Sequence, residues 1–193
     1  VEYLKEEPAL KDLKITASIY DPILIFAWYV TIPDKPPIEE VQQDVFECFM
    51  GGFDLLGKIF NLNRSFDNRL AHFLFKQAND VREEEIKDHP ESFRVGYQEY
   101  DRQNGIIRYN FTQCPNAEFA RRHHLEHVLP VMCNCDHLAM QKIHASLIRC
   151  HTCGISDNCD YCIVGDQNPL AEQYAVIKDA NGLMISVKKD GLL

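Results

Sequence analysis

Seven of the eight cysteines and six of the eight histidines lie between Cys114 and Cys162. Thiols and imidazoles bind soft metals or act as nucleophiles and bases near neutral pH, so this quarter of the chain is where chemistry is expected. Cys114 precedes Pro115, and proline favours the first helical position. That makes Cys114 an N-cap facing free backbone N–H groups, a placement that lowers a thiol pKa and favours the thiolate. A small buried residue ending a strand is the plainer reading of the same dipeptide. Cys133, Asp136 and His137 stand at i, i+3 and i+4, so a helix presents them on one face. Together they form a nucleophile, a base and an orienting group, or a set of metal ligands. Alternatively, Cys133 packs inward and the other two sit at a helix edge.

Cys150-x2-Cys153 and Cys159-x2-Cys162 form a double CxxC with only five residues between the pairs. Zinc ribbons usually separate such pairs by roughly 15–20 residues. Residues at i and i+3 of a strand point to opposite faces, so each pair needs a turn to bring its sulfurs together. A zinc site on Cys150, Cys153 and Cys162 therefore stays open as an expectation, with Cys135 as an extra donor, and no cofactor is required. Arg121-Arg122 with His123, His124 and His127 reads as an exposed polar helix face. The chain has no HExxH, G-x-S-x-G, P-loop or dinucleotide fingerprint.

The elements that must position these groups follow from periodicity. Ile23 to Val30 is rich in strand formers and bracketed by prolines, which predicts a buried strand or extended arm. Ile38, Val41, Val45, Phe49, Phe53, Leu56 and Phe60 recur at helical steps, and Phe49 lies in the middle of that stripe. Ser65 is read as the N-cap of a second amphipathic helix through Leu70, Phe73, Leu74 and Val81, with Glu83-Glu84-Glu85 as a solvated end. The period then drops to two in Phe93–Tyr100 and Ile106–Phe111, joined by Asn104-Gly105. Short helices are expected from Pro115 to about His127 and from Val131 to Ile143. Ser146–Thr152 and Asp160–Val164 read as strands, and Asn181-Gly182 marks a last hairpin.

The formal charge of −9 argues against a nucleic-acid partner, and the longest apolar stretch is too short to span a bilayer. An apolar content of 46% suits a globular core. The acidic start VEYLKEEP lacks the pattern of a secretory signal, so reduced thiols and a cytoplasmic location are expected.

Tyr109 to Ile163 resembles the L-2-amino-thiazoline-4-carboxylic acid hydrolase family. The matching points are Cys114-Pro115, Pro130-Val131-Met132-Cys133 with Asp136, Arg149 and Thr152 before Gly154, and Cys159-Asp160-Tyr161. The resemblance implies a small hydrolase whose catalytic residues are Cys114, Cys133, Asp136 and Cys159. Cys133 or Cys114 would be the nucleophile, or Asp136 would activate water, with Arg149 holding a carboxylate and His137 assisting. Cys135, Cys150, Cys153 and Cys162 fall outside the family pattern.

The expected fold is α+β, a four- to five-stranded antiparallel sheet packed with N-terminal amphipathic helices and two short helices. It is read as one domain comprising an arm (1–37), a helical part (38–89), the sheet and cysteine-rich site (90–166) and a C-terminal hairpin (167–193). Three functions compete. The first is hydrolysis of a small cyclic amidine. The second is ligand binding or sensing, because the family is distantly similar to 4-vinyl-reductase-type domains. The third is a structural zinc or iron–sulfur domain. The expected partner is a small molecule, with neither nucleic acid nor membrane; the oligomeric state stays open.

Overall fold

The computed structural model describes residues 17–191, apart from the side chains of 17–21 and 49–51, so the mid-stripe position of Phe49 lies outside the described side chains. Three helices come first: α1 (Ala17–Thr31), α2 (Ile38–Ile59) and α3 (Ser65–Asp88). Then follow β1 (Arg94–Asp101), β2 (Ile106–Gln113), α4 (Pro115–His123), α5 (Leu129–Cys133) and α6 (Cys135–Lys142). The chain ends with β3 (Ala145–Ile148), β4 (Cys159–Gly165), α7 (Pro169–Glu172), β5 (Tyr174–Lys178) and β6 (Met184–Lys188). This is an α+β fold.

The four strands expected to pair do share one antiparallel sheet, in the order β1-β2-β4-β3. Pleating decides which side chains face the helices. Ile107, Tyr109 and Phe111 of β2 stand opposite Ile163, Tyr161 and Cys159 of β4, and all six belong to the inner face and its core. Asp160, Cys162 and Val164 therefore point to the outer face. There Cys162 joins Ile106, Ile148 and Val164 in a small second cluster. The third strand stops at Ile148, earlier than its sequence suggests, and only His151 and Asp160 continue the contact. The C-terminal hairpin forms its own two-stranded sheet, turning at Gly182 with φ of 82°. Backbone bonds between Ser186 and Arg149 dock it beside β3.

Two local readings are corrected. Ile23–Val30 is helical, not extended. Ile23, Phe26 and Tyr29 are buried at three-residue steps, while Leu24 and Trp28 are exposed, so the run carries a helical face that its β-branched content masks. Phe26 packs on Phe119 of α4 with ring centroids 5.4 Å apart. Helix α3 begins at Ser65 itself, with Arg64 as its N-cap, and it is turned the other way round. Its sheet-facing side is Asn68, Ala71, His72, Phe75, Asn79 and Arg82, and the predicted stripe of Leu70, Phe73, Leu74 and Val81 faces solvent.

Helix α2 packs against α5 and α6. Gly57 makes the close approach possible: a Cβ there would lie 1.9 Å from the Lys142 carbonyl oxygen. Lys142 also reaches back to Asp54 across the same crossing. Among the described residues, no helix is long and apolar enough to cross a membrane.

Candidate active site

Cys114 ends the loop after β2 with extended backbone (φ −130°) and caps α4, as the Cys-Pro dipeptide predicts. The expected thiolate does not follow. Burial pushes the thiol up to about 12, outweighing the backbone N–H groups of Ala117 and Asn116 that pull it down. The capping position was read correctly and its electrostatic consequence was not, because desolvation exceeds the effect of a helix terminus.

Helices α5 and α6 meet at Asn134, whose φ of −75° and ψ of −22° keep the turn helical. Cys133 and Asp136 thus stay close to one face. Burial raises the Cys133 thiol well above its ordinary range, and the charges of Cys114, Cys159 and Asp136 add to this while Arg149 opposes it. Cys159 is also raised by burial. Cys159 belongs to the main core, and Cys114 and Cys133 pack against that core. Asp136 is joined to the Cys133 backbone through Arg149.

The organising group is Arg149. Its side chain is fully buried, directly after β3. Nη1 donates to Asp136 Oδ2 at 2.9 Å, and Nη2 donates to the carbonyls of Cys133 at 2.7 Å and Met184 at 3.3 Å. Burial works against its charge, but Tyr161 and Asp136 more than compensate and hold the guanidinium protonated. With both terminal nitrogens occupied, Arg149 is placed to fix Asp136 and not to clamp a substrate carboxylate, the role the resemblance implied.

Tyr161 went unremarked as a site residue. Its hydroxyl donates to the same Asp136 Oδ2 at 2.8 Å. Its ring stacks on Tyr109 at 4.7 Å and 10°, with Phe111 edge-on at 5.6 Å. Strand alternation could have revealed it, since residue 161 shares the inner face with Cys159. Asp136 Oδ2 accepts two hydrogen bonds, whereas Oδ1 has no hydrogen-bond partner among the described residues. The Asp136 side chain keeps 41% of its surface accessible. A carboxylate pinned through one oxygen and open through the other is oriented for proton transfer.

The remaining candidates separate. His137 is buried, and its Nε2 donates to the Met184 carbonyl at 3.1 Å, so it ties α6 to β6 instead of facing the site. Burial, with help from the Arg149 charge, lowers its pKa to about 3 from the ordinary 6.5. The unfolded chain therefore binds a proton that the fold resists, and stability present above pH 6.5 is lost as pH falls toward 3. His137→Asn is expected to flatten that acid limb, worth on the order of 4 kcal/mol, in melting curves taken across this window.

The expected zinc set also comes apart. Cys153 is buried and its Sγ faces the Phe111 carbonyl at 3.6 Å, on the Cys114 side. Cys150 and Cys162 pack together on the outer sheet face. Cys135, the first residue of α6, donates its S–H back to the Val131 carbonyl of α5. Strand alternation splits Cys159 from Cys162, and the loop after β3 sends Cys150 and Cys153 to different sides. Among the described residues no three His, Cys, Asp or Glu side chains are arranged to hold a metal ion.

A cleft of about 160 Å3 opens beside Cys114 and Cys153, lined also by Gln113, Glu118, Arg121 and Ser156 among others. Arg121 Nη1 donates to the Cys153 carbonyl at 3.0 Å, which holds the guanidinium over the mouth. Glu118 lies one turn back on α4, half-buried, and forms no ion pair among the described residues.

Residues 56–163 match the family model described as L-2-amino-thiazoline-4-carboxylic acid hydrolase, while no curated protein and no solved structure matches the chain. The matched span covers more than half the sequence and contains every group around Asp136 named above except the hairpin contacts. The chain belongs to the L-2-amino-thiazoline-4-carboxylic acid hydrolase family.

Proposed function

We propose that this chain hydrolyses a small cyclic amidine bearing a carboxylate, of the thiazoline type in the family's name, with Asp136 as general base toward water. The observation that carries this reading is the half-open carboxylate: Oδ2 is fixed by Arg149 and Tyr161, and Oδ1 is left accessible. Water bonds to C2 of the amidinium and loses one proton to Asp136 Oδ1, while N3 keeps the proton that makes the amidine cationic. The C2–S bond then breaks as the C2 hydroxyl releases its proton to solvent and becomes the carbonyl. The departing sulfur takes a proton from a neighbouring S–H, and N-carbamoyl-cysteine results.

The thiols suit the second half of this sequence better than the first. Burial keeps Cys114, Cys133 and Cys159 protonated, which disfavours direct attack. The same environment raises the proton affinity of a leaving thiolate, so a neighbouring S–H is a matched donor. Cys133, beside Asp136, takes that role and recovers its proton from Asp136 afterwards.

Substrate orientation falls to the cleft. Arg121 meets the carboxylate, and Glu118 meets the cationic amidine, two opposite charges one helical turn apart. The test follows the new thiol released from 2-amino-thiazoline-4-carboxylate, with the product's mass checked in 18O water. Turnover with one 18O in the carbamoyl group is expected. Arg121→Ala should raise KM about 10-fold or more with kcat largely kept, because a carboxylate contact remote from C2 binds ground and transition states alike. A covalent adduct trapped on Cys133 would replace the water mechanism by nucleophilic catalysis. Absence of any ring opening would remove the reading.

A further inference from the structure

Helix α3 is amphipathic in the wrong sense for a helix that serves only its own core. The side on the sheet is polar and aromatic: His72 stacks on Tyr100, Phe75 approaches Tyr109, Asn79 bonds Gln98, and Arg82 sits over Phe93 and Phe111. The opposite side carries Phe66 (70% exposed), Leu70, Phe73 (53%), Leu74 (52%) and Val81 (61%). At 3.6 residues per turn the two stripes are centred on the order of 160° apart. An apolar stripe of this length turned to water marks an interaction surface.

We propose that this stripe is the interface with a second copy of the chain, packed antiparallel about a two-fold axis near the middle of α3. The charge pattern selects this occupant. Exposed Arg64 and Arg69 stand at the N-terminal end of the helix, and exposed Glu83 and Glu84 at the other, where Lys87 pairs with Glu84 and Glu83 has no ion pair among the described residues. Antiparallel pairing centred midway between Leu70 and Val81 lays Leu70 over Val81 of the second copy and puts Arg69 within one turn of its Glu83 and Glu84. Parallel pairing would instead stack the Glu83-Glu84-Glu85 runs against each other. The same acidic run, on a chain of formal charge −9, disfavours an anionic lipid surface.

Area is consistent with a dimer. The five stripe residues expose on the order of 500 Å2 per copy. A standard interface needs about 800 Å2 per partner, rim included.

The experiment is light scattering on the full chain after size exclusion, from about 1 to 50 µM. The native chain should show twice its 22.3 kDa mass. Phe73→Glu, at a position already exposed, should weaken association about 100-fold with unchanged melting of the monomer. Arg69→Glu should weaken it less, and Arg69→Glu combined with Glu83→Arg and Glu84→Arg should restore it, because the swap keeps the two ends complementary. A native chain that stays monomeric throughout overturns the proposal, as does a dimer indifferent to Phe73→Glu. Failure of the charge swap to restore association also overturns it. So does a monomer that binds anionic vesicles through this face. Should Phe73→Glu lower melting of the monomer, the charge swap decides alone.

Discussion

Asp136→Asn is expected to lower ring opening about 10^3-fold and leave a folded protein, because a positioned general base contributes roughly 10^2 to 10^4 in rate. The amide retains an oxygen that can accept from both Arg149 Nη1 and Tyr161 Oη, so the hydrogen-bond geometry at 2.9 and 2.8 Å is preserved. What is lost is the basicity of the free oxygen and the negative charge facing the guanidinium. The stability cost should therefore be modest, about 1–3 kcal/mol, since a buried charge loses its counter-charge but keeps its acceptors. Steady-state thiol release and a denaturant titration on the same preparation separate the two effects. Wild-type turnover in Asp136→Asn would remove Asp136 from the chemistry and return attention to the thiols.

Arg149→Met should have the largest structural effect, about 3–5 kcal/mol and close to 10 °C in melting temperature. The guanidinium joins Asp136, the Cys133 carbonyl and the Met184 carbonyl, which belong to α6, α5 and β6. Methionine fills much of the volume but removes the guanidinium from the Cys133 carbonyl, leaves the Met184 carbonyl with His137 alone and leaves the Asp136 charge with only the neutral Tyr161 hydroxyl. Arg149→Lys keeps the charge, yet a point cation cannot reach three acceptors in the fork geometry, so an intermediate loss is expected. A fully stable Arg149→Met would mean that water replaces the guanidinium at little cost.

The strands were legible because their period of two is short and repeated: Phe93 to Tyr100 and Ile106 to Phe111 alternate cleanly and do pair. The N-cap position of Cys114 was legible from the Cys-Pro dipeptide, and the family pattern pointed to Cys133 and Cys159, which the structure places in or against the core. The orientation of α3 was not. Its most apolar stripe was assumed to face the sheet, whereas the sheet takes up Asn68, Asn79 and Arg82, each satisfied by a specific partner. Hydrophobic pattern locates a face to be covered and does not say by what. Ile23–Val30 misled for a related reason: its strand-forming residues repeat every three positions, and packing on Phe119 overrides propensity. The thiol state of Cys114 depends on burial, which no dipeptide encodes. His137 sits at the spacing of a catalytic partner and was claimed instead by a carbonyl 47 residues away.

The C-terminal hairpin lies wholly after the family match ends at residue 163. Nevertheless the Arg149 backbone N–H donates to Ser186 Oγ, its carbonyl accepts from the Ser186 N–H, and its guanidinium donates to the Met184 carbonyl. The base is thus oriented by an arginine that is itself seated by β6. During synthesis, Cys114, Cys133, Asp136, Arg149 and Tyr161 all leave the ribosome before Ser186 does. Until that strand arrives, the nascent chain holds every group proposed to react and lacks the strand that seats the arginine.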